Sequence, residues 1–126
     1  MSVLLDANAL LVPVQFGIDI FEEIGRIVGG FEPLTLDSVL EELDRLSRGK
    51  GRDAIAARVG RSLCERCRVL KTSAPAVPVD EQLVLYAKEH GCIVVTNDRQ
   101  LRTTLLEQGI DVITLRKQKK LELLKA

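Results

Sequence analysis

The sequence predicts an α/β fold, a three-layer α/β/α sandwich around a central, mostly parallel sheet of about five strands. Short apolar runs alternate with longer segments of helical period, the pattern left by βα units around a parallel sheet. Breakers at Gly29-Gly30, Gly49 to Gly51, Ser73 to Pro78, Gly91 and Gly109 fall between these segments and read as element ends, not domain linkers. The length, 126 residues, fits one domain, residues 1–126, with enough chain to bury one core.

In chain order, "SVLL" gives a first strand at Val3 to Leu5, and the apolar period before Gly29 gives a helix over Ile18 to Val28. A second strand follows at Pro33 to Leu36. "DSVLEELDRL" carries a stripe of Val39, Leu43 and Leu46, so Ser38 to Ser47 is a helix, and Ser38 with Glu41 has the spacing of a capping box. Past the glycines, Asp53 to Arg66 is helical and Arg68 to Lys71 is a strand. Asp80 to His90 has its stripe in Leu83, Val84 and Ala87 and ends at Gly91. "IVVT" is the fourth strand, Ile93 to Thr96, and Asp98 stands where a helix over Arg99 to Gln108 needs its N-cap. Asp111 to Leu115 is the fifth strand, and the charged segment Arg116 to Leu124 reads as a last helix.

Eighteen basic and eighteen acidic side chains balance to a formal net charge of zero, and 46% of the residues are apolar. This excludes a disordered tail or a generally basic nucleic-acid coat, so any nucleic-acid contact must be a local patch. The N-terminal residues lack the basic region and cleavage site of a secretory signal, and no apolar run reaches the roughly 20 residues a membrane span needs. The expectation is a cytoplasmic protein with no membrane partner. Cys64, Cys67 and Cys92 read as reduced thiols.

In an open parallel sheet, ligands bind outside the carboxyl ends of the strands. Asp6 ends the first strand and Asp98 follows the fourth, so two carboxylates face one crevice if those strands are neighbours. Like charges a few ångströms apart repel by about 1 kcal/mol even in high dielectric, which favours a cation between them. Mg²⁺ and Mn²⁺ are the oxygen-seeking candidates. Asp80 lies within the apolar stripe of its helix and is expected to point at the sheet. Glu42 lies on the border of its own stripe, within reach of the same crevice, whereas Glu41 lies almost opposite the stripe.

The pieces "VLLDANAL", "LDSVLEEL", "VDEQLVLYAKEHGCIVVTNDRQLR" and "GIDVITL" together resemble the PIN domain family of small metal-dependent ribonucleases, in that family's order and over essentially the whole chain. The resemblance implies a parallel sheet sandwiched by helices and an acidic tetrad carried by Asp6, Glu42, Asp80 and Asp98, with Asn8 and Thr96 in support. It implies one or two Mg²⁺ or Mn²⁺ ions as cofactor and RNA as substrate. Within the family, "NALLVPVQFGIDIFEEI" is similar to the archaeal and eukaryotic branch tied to ribosomal RNA processing, in which an extended, Pro-containing connection follows the first acidic strand. The competing branch is the VapC-type toxin ribonuclease. A third reading is a non-catalytic RNA-binding or assembly module, against which the complete tetrad argues. The resemblance leaves a homodimer and a protein partner open.

Each feature also has a plainer reading. Asp98 and Asp80 suit helix N-termini, and Asp6 could be an ordinary strand-end carboxylate. Cys64 and Cys67 form a C-x-x-C inside a predicted helix, where core thiols are the better reading than zinc or redox chemistry. With His90 the only histidine, histidine acid/base catalysis has little support. "RGKGRD" lacks the P-loop pattern. As a basic turn, Arg45, Arg48, Lys50 and Arg52 lie where they could take RNA phosphates, or they are a solvated helix-helix connection. Aromatic side chains are few, so RNA would be held mainly through its phosphates.

Overall fold

The computed structural model describes residues 1–126. Six strands form one sheet: β1 (Ser2–Leu5), β2 (Glu32–Leu36), β3 (Arg68–Leu70), β4 (Ile93–Val95), β5 (Val112–Arg116) and β6 (Lys120–Leu124). Their order is β3-β2-β1-β4-β5-β6, parallel except for the antiparallel pair β5–β6. The six α-helices are α1 (Ala7–Phe16), α2 (Ile20–Val28), α3 (Asp37–Ser47), α4 (Arg52–Leu63), α5 (Val79–His90) and α6 (Arg99–Glu107).

The strand order explains the layers. From β1 the chain steps through β2 to β3 in one direction, then returns past β1 to β4 and β5. Crossovers between parallel strands are right-handed, so reversing direction moves the connecting helices to the other face. Accordingly α1, α2, α3 and α4 pack together on one side, and α5 packs with α6 on the other. Val3, Leu4, Leu5, Val94 and Val95 are covered on both faces, which is why these strands read as continuous apolar runs. The predicted three-layer sandwich is what the chain forms, with six strands where five were expected.

Two elements depart from the sequence reading. Arg116 to Leu124 is no helix: the chain reverses at Lys117 and Gln118, both at positive φ, and returns as β6. Leu121 and Leu123 occupy alternate positions of a strand, and "KLELL" fits either period over so short a run. Residues 7–16 are no extended connection: Asp6 caps α1, and Pro13 sits inside that helix. Four buried side chains, Ala7, Ala9, Leu10 and Val12, hold α1 on the core despite the N–H that Pro13 lacks.

The outer edge of β6 is closed by side chains. The Leu121 N–H donates to Glu23 Oε1 and its C=O accepts from Arg26 Nη2, each at 3.2 Å, so an ion-paired couple on α2 stands in for a seventh strand. Between the other helices, Gly60 of α4 lies so close to Leu10 of α1 that a Cβ there would meet the Leu10 carbonyl oxygen at 2.7 Å. Cys64 is buried in a 3-10 turn after α4, and Cys67 follows that turn. Burial pushes both thiols up, to about 11 and about 12, so neither is a reactive thiolate at neutral pH. No helix is long and apolar enough to cross a membrane.

Candidate functional site

The sheet reverses its direction of winding between β1 and β4, and at such a switch point the loops from the two strands diverge to leave a crevice. Asp6 follows β1 and Thr96, Asn97 and Asp98 follow β4, so the neighbouring strands required by the sequence reading are present. Backbone bonds fix the seam: the Asp6 N–H donates to the Val95 carbonyl at 3.1 Å, and the Thr96 N–H to that of Ile113 at 3.1 Å.

Thr96 links the two aspartates. Its fully buried hydroxyl donates to Asp6 Oδ2 at 2.8 Å and accepts from the Asp98 N–H at 3.1 Å. Asn8 Oδ1 accepts from the Asn97 N–H at 3.0 Å, tying the start of α1 to the turn after β4. Asp98 does cap α6, its Oδ1 accepting from the Leu101 N–H at 2.9 Å. The cap uses one carboxylate oxygen and leaves Oδ2 without a protein hydrogen bond. The plain and the chemical reading of Asp98 are thus compatible.

The electrostatics are unfavourable as the chain stands. Asp6 is 6% exposed, and its carboxyl is pushed up to about 6, first by burial and then by the charges of Asp80 and Glu42, against the opposing hydrogen bonds from Thr96 and the Ala7 N–H. Desolvation, followed by the charges of Asp98 and Glu42, also holds Asp80 above the ordinary carboxylate range. All four predicted acids therefore lie in one electrostatic neighbourhood. They do not form a closed cage: no three Asp, Glu, His or Cys side chains stand close enough together to enclose an ion.

Two predictions about these acids need correction. Asp80 does not point at the sheet; it occupies the exposed first turn of α5, because Gln82 and Leu83 take the buried positions. Glu41 forms no capping box: α3 begins one residue earlier, at Asp37, and the Ser38 hydroxyl donates instead to Gln82 Oε1. Glu42 is half-buried, as expected, and pairs with Arg45 at 3.5 Å.

The basic turn is only partly brought to the site. Arg45 and Arg48 line a groove of about 640 Å³ with Glu42 and Gln82, while Lys50 and Arg52 lie outside it on the exposed turn. Lys71, from the loop after β3, lines the same groove.

Sequence reasoning missed three organising residues. Asp37 Oδ1 accepts from the N–H groups of Ser38 and Thr72, holding the loop after β3; as a carboxylate at the end of β2 it met the same criterion as Asp6. Asn97 Oδ1 accepts from the Leu115 N–H at 3.0 Å, extending the ladder past the end of β4. Buried Gln82 joins Ser38 to the Val77 carbonyl. The last two depend on contacts 18 and 44 residues away, which no local pattern reveals.

Residues 3–118 match the family model described as a PIN like domain. The chain belongs to the PIN domain family. Among curated relatives, this PIN domain is 31% identical over 123 residues to the ribonuclease VapC4 of Methanocaldococcus jannaschii, covering 94% of this chain and 92% of that one. It is 30% identical over 116 residues to the ribonuclease VapC9 of Archaeoglobus fulgidus, covering 91% and 83%. Among solved structures, the PIN domain endonuclease Utp24 superposes with a TM-score of 0.81 at 26% identity, over 99% of this PIN domain and 92% of that chain. The Rickettsia felis VapBC2 complex, bound to a DNA fragment from its promoter, shares the fold with a TM-score of 0.68 at 12% identity, over 92% and 100%.

Proposed function

We propose that this PIN domain is a metal-dependent endoribonuclease that hydrolyses RNA phosphodiester bonds at the β1/β4 crevice. The observation that carries the reading is the Asp6–Thr96–Asp98 link at the switch point, with Glu42 and Asp80 in electrostatic reach of it. The donor set fits a hard divalent ion. It is all carboxylate oxygen, and the buried Asp6 finds only negative neighbours among the charges that act on it. An open arrangement suits Mg²⁺ or Mn²⁺, which keep several waters and take few protein ligands directly. Asp6 and Asp98 would hold the ion or pair of ions, with Glu42 and Asp80 beside them. When bound, such an ion lowers the pKa of a water and stabilises charge on the attacked phosphate.

The chain's own residues supply position. Thr96 fixes the rotamer of Asp6, Asn8 fixes the turn that presents Asp98, and the carboxylates together keep RNA out of the crevice until a cation neutralises them. Arg45, Arg48 and Lys71 would meet phosphates on the β2–β3 side.

The test is incubation with structured and unstructured RNA in Mg²⁺, Mn²⁺ or chelator, beside calorimetric titration of Mn²⁺ into the wild type and Asp98→Asn. Metal-dependent internal cleavage, lost in the variant together with Mn²⁺ binding, is expected. Cleavage that persists in chelator would overturn the reading.

Ribosomal RNA processing in the cytoplasm is the role we favour, on the superposition on the endonuclease Utp24 over 99% of this chain. The identity to two VapC ribonucleases supports a second reading, a toxin-type nuclease with a protein partner. Expression alone separates them: a toxin arrests growth, a processing nuclease does not. Light scattering tests the homodimer that either reading allows.

A further inference from the structure

A second groove, of about 390 Å³, lies on the opposite flank of the crevice from the one lined by Arg48 and Lys71. Its walls include Asn8 and Asn97, the residues that hold the acidic turn, together with Phe16, Arg99, Arg102 and Gln118. One groove gathers the carboxyl ends of β2 and β3, the other those of β4 and β5. From β3 to β5 is four strand spacings, roughly 19 Å along the carboxyl edge.

Two arginines of this groove lack a structural reason. Arg99 and Arg102 occupy the first four positions of α6, where the helix dipole disfavours cations by about 0.3–1 kcal/mol each, and neither forms an ion pair or a side-chain hydrogen bond. Unpaired guanidiniums suit phosphate oxygens, which they bind bidentately, and Phe16 is the one aromatic side chain lining either groove.

We propose that this groove is a nucleotide subsite for single-stranded RNA, in which Arg99 and Arg102 hold phosphates flanking the crevice and Phe16 stacks on a base. The RNA then crosses the acidic centre from the Arg48–Lys71 groove to the Arg99–Arg102 groove. The inference rests on the nuclease reading for its substrate class, but it is a statement about binding and is tested by binding.

Fluorescence anisotropy of a labelled, cleavage-resistant single-stranded oligoribonucleotide, at one fixed Mg²⁺ concentration and across a series of salt concentrations, compares the wild type with Arg99→Ala/Arg102→Ala and with Phe16→Leu. The double variant should weaken binding about tenfold or more. It should also flatten the dependence of log affinity on log salt by about 1.4, the contribution of two single-strand phosphate contacts. Phe16→Leu should lose roughly 5- to 20-fold with no change of slope, as for a stacking contact. The thermal midpoint of the double variant should stay the same or rise, because two cations leave a helix N-terminus; a structural role would lower it. Unchanged affinity and slope in the double variant overturn the subsite, even if the wild type cleaves RNA. A wild type that binds RNA with this slope dependence but never cleaves overturns the nuclease reading and supports the subsite.

Discussion

The hydroxyl of Thr96 donates to Asp6 Oδ2 at 2.8 Å, so a side chain from the end of β4 fixes the carboxylate at the end of β1. Thr96→Val keeps the shape and removes the hydroxyl, leaving Asp6 short of a donor and the Asp98 N–H short of an acceptor. A loss of about 2–3 kcal/mol in unfolding free energy is expected, with a fall in single-turnover cleavage. Thr96→Ser should restore most of both, which denaturant titration and quenched-flow measurements would check.

The raised pKa of Asp6 makes stability depend on pH. The folded chain binds this proton more tightly than the unfolded chain, so in the absence of divalent metal the stability contributed is fully present below about pH 4. It is lost as pH rises towards and through about 6. The gap between the ordinary value of 3.8 and about 6 corresponds to about 3 kcal/mol. Asp80 shifts in the same direction and adds to the trend. Urea midpoints between pH 4 and 7 in chelator should therefore decline, and Asp6→Asn should flatten the curve and raise the midpoint at pH 7 while abolishing cleavage. A variant less stable than wild type at pH 7 would show that Asp6 is not strained by its burial.

Glu41 and Glu42 are adjacent but should behave differently. With no capping box to lose, the exposed Glu41 should tolerate Glu41→Gln within about 0.5 kcal/mol and with full activity. Glu42→Gln should cut cleavage at saturating Mn²⁺ with little effect on the thermal midpoint, since its ion pair with Arg45 is exposed and weak. The reverse result would place Glu41, not Glu42, in the acidic group.

Gly60→Ala tests the packing of α4 on α1. A methyl group 2.7 Å from the Leu10 carbonyl oxygen must push two backbones apart, at a cost of about 1–3 kcal/mol. Because Asp6 precedes α1 and is held by β4 and Thr96, and α4 carries none of the acids, the expected signature is a lower thermal midpoint with metal affinity retained.

The acids were legible because they obey local rules: Asp6 and Asp98 end apolar runs, and Glu42 follows from the turn of a helix whose stripe is plain in the sequence. Asp80 lies within electrostatic reach of Asp98 and Glu42, but its orientation was misread, since an i, i+3 stripe does not say which border of the helix the sheet will cover. The misread segments share one cause. "ALLVPVQF" and "KLELL" are short, one is broken by Pro13, and each takes its conformation from what it packs on: α1 from α4, and β6 from β5 and α2. Asn97 and Gln82 were unreadable for the related reason that their partners lie on other elements, whereas Asp37, a carboxylate at the end of β2, was open to the rule that found Asp6.

The clasp of Glu23 and Arg26 on Leu121 bears on solubility. A sheet with an unpaired border can recruit the same border of another molecule and grow without limit. Here one border has its donor and acceptor already occupied by a carboxylate and a guanidinium. The other is the three-residue β3, which begins at Arg68 and is followed by Lys71, so stacking copies edge to edge would bring like charges together. Removing the clasp with Glu23→Ala/Arg26→Ala should thus show itself first as concentration-dependent association, before any change at the acidic crevice.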